Sequence, residues 1–494
     1  MTNVDGDDLS QPLLSVRENT PSRYEEEEEA APDDDVRFAR TIFRSRGAPQ
    51  ILMLSLILSF GISSTIGVIP DIMANRYASL HHGYIGPGCS TFDRIDKPDA
   101  CQDGSDDAQE SAALAAFFKN MLTLTFNSWI GSISDVQGRK HFMVLAMMLS
   151  TLSPAMLVLM QVISSMEPAW FYFFDSTTGA VNSMSIAFAM LSDIIPSICR
   201  APAFGMFLAA YYIGFSFAPS LPLLMTQYQV SLISLLLLLL GVLFALFWLP
   251  ETLPADVAEH NRAIREQQEV ELGWKIILRP IMALSILNRD TFFRLLAAGS
   301  FLSGIVYSSD AVLVVYYVED QLNVRDTDLA HMFFIMGIVG IAIQAFLLKP
   351  MISCFGEKGL LMISFLSGTC HNACYALARG KGMIYVAFCL AQLTKTNFPL
   401  LSSFAANNVD KHEQGRIQGA LFALTALADA IGPITLEYIY GHTKATLGPG
   451  TMFVFAALCY FVGTVFVSFL PTKNRKRPNV AGTTEEQVLL EPLP

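Results

Sequence analysis

The sequence predicts an all-α integral membrane protein with twelve transmembrane helices in two groups of six, and three observations predict it. The 494 residues are 52% hydrophobic and 15% charged, with a mean hydropathy of +0.43, which is too apolar for an ordinary soluble protein. The runs at 230–250 and 452–471 carry no charge, and each can cross a bilayer core, which takes about 20 residues. The net charge of −12 belongs mainly to a tail, because residues 1–35 hold 12 acidic residues against 2 arginines.

Each predicted span is a run of predominantly apolar residues. The spans are predicted at 50–73, 110–132, 142–163, 169–192, 201–225, 229–250, 293–318, 328–348, 359–378, 382–404, 416–439 and 450–471. This spacing predicts five regions along the chain. They are a disordered acidic cytosolic tail (1–47), an N-terminal six-helix half (48–250), a cytosolic linker (251–292), a C-terminal six-helix half (293–472) and a cytosolic tail (473–494).

Lysines and arginines near the span ends predict the orientation. They precede span 1, follow span 2 and follow span 12, and loops with such charges stay in the cytosol. Both termini are therefore expected in the cytosol. Termini on the same side of the membrane require an even number of spans, which agrees with the twelve predicted here. Glu485 and the pair Leu489 and Leu490 have the spacing of an acidic dileucine sorting signal. We expect a multi-pass protein of the plasma membrane or of a vacuolar or lysosomal membrane.

Five charged residues fall inside predicted spans. They are Lys119, Asp175, Asp310, Lys395 and Asp429. Each would cost about 2.5 to 3.5 kcal/mol at the bilayer centre if it faced lipid. We therefore expect each to face an aqueous cavity or an oppositely charged partner.

Polar residues share a helical face with three of these charges. The pairs are Asp175 and Asn182 in span 4, Tyr307 and Asp310 in span 7, and Gln392 and Lys395 in span 10. Three polar stripes indicate a shared aqueous space, and these six side chains are candidates to bind substrate or protons there. Structural ion pairs are the alternative. Two carboxylates against one cation favour a cationic or protonatable substrate, whereas a lone histidine in span 9, His371, is interpreted as a core residue.

The short turn between spans 2 and 3 reads GSISDVQGRK and combines two glycines with an acid and two cations. Its five key residues are Gly131, Asp135, Gly138, Arg139 and Lys140. The glycines permit a tight turn, and the cations suit a cytosolic loop. Neither argument explains Asp135.

This turn resembles the signature loop of the major facilitator superfamily, which consists of secondary transporters with twelve helices in two six-helix halves around a central cavity. The sequence LPETLP at 249–254 and the pair Ala218 and Pro219 are also similar to family motifs. The sequence departs from the family at Val136, where a basic residue is frequent, and at Asp175, where exporters often have arginine. Among subfamilies it looks nearest to eukaryotic tetracycline-exporter-like proteins and fungal exporters of specialised metabolites, with folate-transporter-like importers as the rival.

The resemblance implies roles for further residues. Spans 2 and 11 face each other across the two halves in this family, so Lys119 and Asp429 are candidates for an interdomain gate. In the signature loop, Asp193 at the end of span 4 is the expected partner of Arg139.

The predicted function is secondary active transport of a small organic molecule, with proton-coupled export of a metabolite or drug-like compound favoured. The alternatives are an importer of a folate-like organic anion and a non-transporting nutrient sensor. The expected partners are the substrate, protons and the lipid bilayer, and the protein is expected to be a monomer that binds no nucleic acid. No motif indicates an enzyme, a cofactor or a metal site. Cys89 and Cys101 lie in the loop after span 1, and the sequence leaves open whether they form a disulfide.

Overall fold

The computed structural model describes residues 45–92, 96–195, 200–255, 258–259, 262, 284–406, 408 and 414–471. Over these residues every regular element is helical and no strand occurs. The predicted acidic tail up to residue 44, most of the predicted linker and the C-terminal tail from residue 472 lie outside the described residues.

Fifteen α-helices run through the described part of the chain. They are α1 (Ala48–Ser63), α2 (Ile69–His81), α3 (Asp99–Gln137), α4 (Lys140–Val162), α5 (Ala169–Thr177), α6 (Ser183–Ile194), α7 (Arg200–Phe217), α8 (Gln227–Phe247), α9 (Thr291–Leu322), α10 (Asp326–Ile341), α11 (Leu348–Leu377), α12 (Lys381–Thr394), α13 (Asn397–Ala406), α14 (Gln414–Thr443) and α15 (Thr451–Ser468).

Eight of these described helices are long and apolar enough to cross a membrane. They are α4, α7 with the turn that follows it, α8, α9, α10, α11, α14 and α15. Three of the remaining predicted spans are each divided into two shorter helices: α1 with α2, α5 with α6, and α12 with α13. The fourth, α3, is 39 residues long and contains several polar residues. The described part of the chain is therefore all-helical and contains eight helices that can cross a membrane.

Helix α11 contains a turn that the apolar pattern anticipates. Gly356 has a φ of 69°, a backbone conformation that other residues rarely adopt, and it divides α11 into the end of one predicted span and the start of the next. Gly138, with a φ of 99°, makes the corresponding turn between α3 and α4. Gly138 follows the second predicted span and Gly356 follows the eighth, so each turn comes after the second span of a predicted group of six.

The break between α5 and α6 has a visible packing cause. A 3-10 turn spans Thr178–Ala180, and a Cβ atom on Gly179 would lie 2.0 Å from the backbone oxygen of Lys119. Only glycine allows the chain to approach α3 this closely. The hydroxyl of Thr123 also donates a hydrogen bond to the Gly179 carbonyl at 3.0 Å. The backbone at this break therefore lies directly against the middle of α3.

We call the described residues up to 262 the first part of the chain and those from 284 onward the second part. Most helices pack against others from the same part. In the first part α1 packs on α7 and α8, α2 on α3, and α4 on α8; in the second part α9 packs on α14 and α15, and α11 on α12 and α15. The two parts meet along α3 with α14 and along α7 with α10. These two helix pairs form most of the contact between the first and second parts.

Candidate functional site

The Cys89–Cys101 pair marks one end of the helix bundle, which we call the disulfide end. These two cysteines are joined by a disulfide with a Cα–Cα distance of 5.5 Å, a bond that the sequence left open. Close by, the Lys97 ammonium contacts the Asp320 carboxylate of α9, and both side chains are buried. The loop between α2 and α3 is thus tied to both parts of the protein.

Contacts between α3 and α14 run from the disulfide end towards mid-depth. Lys444 forms an ion pair with Asp106. One step deeper, the Gln109 amide lies 2.5 Å from the Glu437 carboxylate. Deeper still, the Asn120 amide donates to the backbone oxygen of Asp429 at 3.0 Å. The two helices therefore face each other, as the family resemblance implied.

The predicted gate partners, Lys119 and Asp429, do not form an ion pair in this structure. The Lys119 ammonium lies 3.3 Å from the Asp175 carboxylate instead, and Asp429 Oδ1 is buried without a hydrogen-bond partner among the described residues. The reason is geometric, because the close contact at Gly179 brings α5 against α3 and places Asp175 within reach of Lys119. Lys119 and Asp429 are therefore not in contact in this conformation, and their role as an interdomain gate stays a prediction.

Lys395 occupies the break between α12 and α13. Its ammonium lies 5.0 Å from the ring centre of Tyr212 and 5.7 Å from that of Phe215, both on α7. No carboxylate of the described residues lies within ion-pair distance of it. An aromatic face stabilises a cation by about 0.5 to 2 kcal/mol, which offsets only part of the cost of a charge at membrane depth. Lys395 therefore retains capacity for an anionic group.

Gln392 lies one turn before Lys395 and is almost fully buried. Its Nε2 donates to the Phe388 carbonyl, while its Oε1 has no hydrogen-bond partner among the described residues. A Cβ atom on Gly340 of α10 would lie 3.1 Å from that oxygen. The glycine thus leaves room for Gln392 at the contact between α7, α10 and α12.

Two other predicted site residues have different surroundings. Tyr307 is 48% exposed on α9 and is close enough to Asp429 and Tyr211 to interact with them electrostatically. Asn182 caps α6, because its side-chain oxygen accepts a hydrogen bond from the Ser185 backbone nitrogen at 3.0 Å. Asn182 therefore has a structural task, and its contact with a substrate stays a prediction.

Asp310 faces a histidine that sequence reasoning treated only as a core residue. Asp310 Oδ2 lies 2.8 Å from Nε2 of His371, whose side chain is fully buried. Asp175 is likewise paired, with Lys119. The sequence counted two carboxylates against one cation; in the structure each carboxylate has a partner within the protein, whereas Lys395 has no carboxylate partner among the described residues.

The signature turn is held by an acid from beyond α8. Both carboxylate oxygens of Glu251 accept from the start of α4, Oε1 from the Arg139 backbone nitrogen at 2.8 Å and Oε2 from that of Lys140 at 3.1 Å. A carboxylate at a helix N-terminus satisfies free N–H groups and interacts favourably with the helix dipole. Gly138 is required here, since a Cβ atom on it would lie 2.4 Å from Glu251 Oε2.

The Arg139 guanidinium ties this turn to the end of α6. Its Nε lies 3.2 Å from the Asp193 carboxylate, and other nitrogens contact Ser134 at 2.6 Å and the Asp135 carboxylate. The Arg139–Asp193 contact expected from the sequence is present. Thr252 adds a hydroxyl contact to Asp193 at 3.3 Å. The five signature residues thus connect the ends of α3, α4, α6 and α8.

Glu251 provides a test of this cluster. Partial burial alone would raise the pKa of its carboxyl, but four backbone N–H groups outweigh burial and hold the pKa below its ordinary value. Its stabilising effect should be present above the pKa of the unfolded chain and be lost as the pH falls through the lower folded pKa. We expect Glu251→Gln to lower the free energy of unfolding by about 1 kcal/mol near neutral pH, a typical capping contribution limited by solvent exposure. Thermal unfolding in detergent, measured as a function of pH, checks this; a difference that persists at strongly acidic pH would contradict it.

A family model described as Major Facilitator Superfamily matches residues 51–433. The chain belongs to this superfamily. The match covers more than half of the chain, includes the signature turn and confirms the resemblance drawn from that turn.

Relatives and solved structures agree with the assignment. Hippocampus abundant transcript-like protein 1 from Bos taurus is 24% identical over 380 residues, which cover 72% of this chain and 73% of that protein. Tetracycline resistance protein, class C, from Escherichia coli is 22% identical over 67% of this chain and 80% of its own length. The crystal structure of the human organic anion transporter MFSD10 (TETRAN) has the same fold, with a TM-score of 0.61 and 18% identity over 85% of this chain and 99% of that chain.

Sequence reasoning missed two functional contacts. His371 as the partner of Asp310 had no signal beyond a histidine inside an apolar run. Glu251 had one, since it is the acid in the LPETLP sequence that resembles a family motif. That motif follows span 6 at the same predicted side of the membrane as the signature turn, so the sequence alone could have paired the two.

Proposed function

We propose that this protein is a proton-coupled exporter of a small amphipathic organic compound that carries an acidic group. The observation that carries the proposal is the position of Lys395, a cation at a helix break beside aromatic rings and without a described carboxylate partner. An acidic group on the substrate would neutralise Lys395, and the rings of Tyr212 and Phe215 would bind an apolar part. The breaks in the helices expose backbone groups for further hydrogen bonds.

The architecture that we propose has twelve spans in two six-helix halves, at the boundaries predicted from the sequence. Three pairs of short helices, α1 with α2, α5 with α6, and α12 with α13, each count as one span. The piece of α11 before Gly356 continues the span of α10, and the piece after Gly356 is a span of its own. The fifteen helices therefore make twelve spans. The similar turns at Gly138 and Gly356 support a repeat between the halves.

Alternating access follows from where the two parts meet. The α3–α14 contacts described above lie towards the disulfide end, as does the ring contact of Phe217 with Phe334 between α7 and α10. We propose that this conformation is closed at the disulfide end and open at the end with the signature turn. Opening of the disulfide end would require the contacts between α3 and α14 to separate.

Export is supported by relatives that are tetracycline resistance proteins, because moving a toxic compound out of a cell gives resistance. An organic-anion importer is the second candidate, favoured by Lys395, which has no carboxylate partner among the described residues, and by the organic anion transporter with the same fold. A sensor that binds without transport uses the same cavity. Direction and flux separate the three functions.

The experiment is transport by purified protein in liposomes with an imposed pH gradient. Three probes are carboxyfluorescein as an acid, tetracycline as a zwitterion and ethidium as a cation. We expect movement of an acid-bearing probe against its gradient in exchange for protons. Movement of ethidium alone would contradict the acidic-group proposal, and binding without flux would identify a sensor.

We also propose that the protein is a monomer with both termini in the cytosol, in the plasma membrane or in a vacuolar or lysosomal membrane. The basic residues at the span flanks support the orientation. Epitope tags at the two ends should be equally protected from external protease in intact cells. Unequal protection would contradict the even number of spans.

A further inference from the structure

The contact between Asp310 and His371 lies inside the second part of the protein. His371 is on α11 and is fully buried, with the rings of Tyr375 and Tyr460 at 5.5 and 5.8 Å. Asp310 is on α9, and 18% of its side chain is exposed. The carboxylate is therefore partly accessible, whereas the imidazole that it contacts is not.

Hydrogen bonds around His371 determine where its protons are. Asn372 Nδ2 donates to the Gly368 carbonyl at 3.1 Å, which fixes the orientation of this amide. The same Nδ2 lies 2.8 Å from His371 Nε2, and its second hydrogen can also reach the Asp310 carboxyl. His371 Nδ1 lies 3.2 Å from the Ser367 carbonyl, which can only accept, so Nδ1 carries a proton. A neutral ring would then have its single lone pair on Nε2.

The short distance to Asp310 then requires one more proton. Asp310 Oδ2 and His371 Nε2 are 2.8 Å apart, and two acceptors without a hydrogen between them would repel each other. Either Asp310 is protonated and donates to Nε2, or the proton has moved to Nε2 and an imidazolium faces a carboxylate. Both arrangements hold one proton and have no net charge.

We propose that Asp310 and His371 together form the proton-binding pair of this transporter, holding one proton between them in this conformation. This inference rests on the proposed proton-coupled function. When the pair releases the proton to water in the cavity, Asp310 becomes a carboxylate and His371 stays neutral. When the pair binds a proton again, the charge disappears.

The surroundings explain why the charged form would be short-lived. The ionisable groups of the described residues near the pair include three tyrosines, three thiols and one acid, and none of them is a cation. They are Tyr307, Tyr375, Tyr460, Cys374, Cys389, Cys459 and Asp429, the last beside Gly304 of α9. Asp310 Oδ1 is also buried without a hydrogen-bond partner among the described residues. A bare Asp310 carboxylate is therefore costly at this depth, which favours a change of conformation or the return of a proton.

The pair also separates proton binding from substrate binding. Asp175 is neutralised by Lys119, and Lys395 faces α7, whereas the proton pair lies between α9 and α11. Substrate and proton then bind to different groups. Coupling between them passes through the packing of the second part rather than through competition for one carboxylate.

The test uses a hydrophobic carbodiimide, which reacts with protonated carboxyl groups in apolar surroundings, followed by mass spectrometry of the modified peptides. No substrate is needed, so a failure of this proposal is distinguishable from a failure of the transport proposal. In the wild-type protein we expect modification of Asp310 near neutral pH and much less of Asp175, which is ion-paired with Lys119. Because the shared proton can return to the carboxyl in either arrangement, an Asp310 that stays unmodified near neutral pH would overturn the proposal.

Variants identify the role of the histidine. His371→Gln removes the nitrogen that accepts the carboxyl proton, so the pH of half-maximal Asp310 modification should fall by about one unit or more, a tenfold loss of proton affinity. The matched control is His442→Gln, because His442 is exposed and stacks on Tyr438 outside the pair. The control profile should superimpose on that of the wild type. A His371→Gln profile that also superimposes, or that shifts upwards, would overturn the sharing of a proton.

Discussion

Replacing Lys395 with glutamine is expected to weaken the binding of an acidic substrate by about tenfold or more. The side chain would lose a charge-assisted contact, and such contacts contribute about 1.5 to 3 kcal/mol when the charge is needed. Lys395→Arg should keep most of the affinity, because a guanidinium also binds anions and interacts favourably with the rings of Tyr212 and Phe215. Transport of carboxyfluorescein or tetracycline by protein in liposomes measures the effect.

The matched control for this substitution is on the same helix. Lys381 at the start of α12 forms an ion pair with Asp328 of α10, away from Lys395. Lys381→Gln therefore removes a lysine of α12 and leaves Lys395, Tyr212 and Phe215 unchanged, so transport should change little. Equal losses in Lys381→Gln and Lys395→Gln would show a general effect of charge on folding and would remove Lys395 from the proposed binding site.

The sequence predicted the membrane class and the positions of the long apolar helices because hydropathy depends only on composition. Helices α8 and α15 fall within a few residues of their predicted spans. The breaks in three spans could not be found in this way. Backbone conformation at Gly179 depends on its contact with α3, and a hydropathy window contains no information on such a contact.

The site was predicted as a set of residues but not as a set of pairs. The expectation that charges at membrane depth need partners or a cavity holds for Lys119, Asp175 and Asp310. Which charged residues form pairs depends on helix packing. Two acids, Asp175 and Asp429, lie at a depth similar to that of Lys119, and the sequence does not say which of them it contacts. The Arg139–Asp193 contact was easier to anticipate, because both residues lie at the same end of neighbouring spans.

Linking α3 to α14 covalently is expected to abolish transport almost completely. Gln109 and Glu437 are in contact across the two parts, 2.5 Å apart at their side-chain ends. Cysteine is shorter than either side chain, so a short bis-methanethiosulfonate, which forms one disulfide with each thiol, is used to join cysteines at the two positions. If the disulfide end must open in each cycle, this link holds the protein in one conformation. Transport by Gln109→Cys/Glu437→Cys should be lost after treatment with the reagent and return after reduction.

A second cysteine pair shows whether the loss is specific to this interface. Gln161 of α4 and Ser231 of α8 are hydrogen-bonded at 2.9 Å within the first part, at the same end of the bundle. The same link between cysteines at these positions joins helices that should move together, so transport should continue after treatment with the reagent. The wild-type protein needs the same treatment, because a reductant also acts on the Cys89–Cys101 bond. Full transport by the linked Gln109→Cys/Glu437→Cys protein, with the link verified by mass spectrometry, would mean that α3 and α14 need not separate, and the proposed opening of the disulfide end would be wrong.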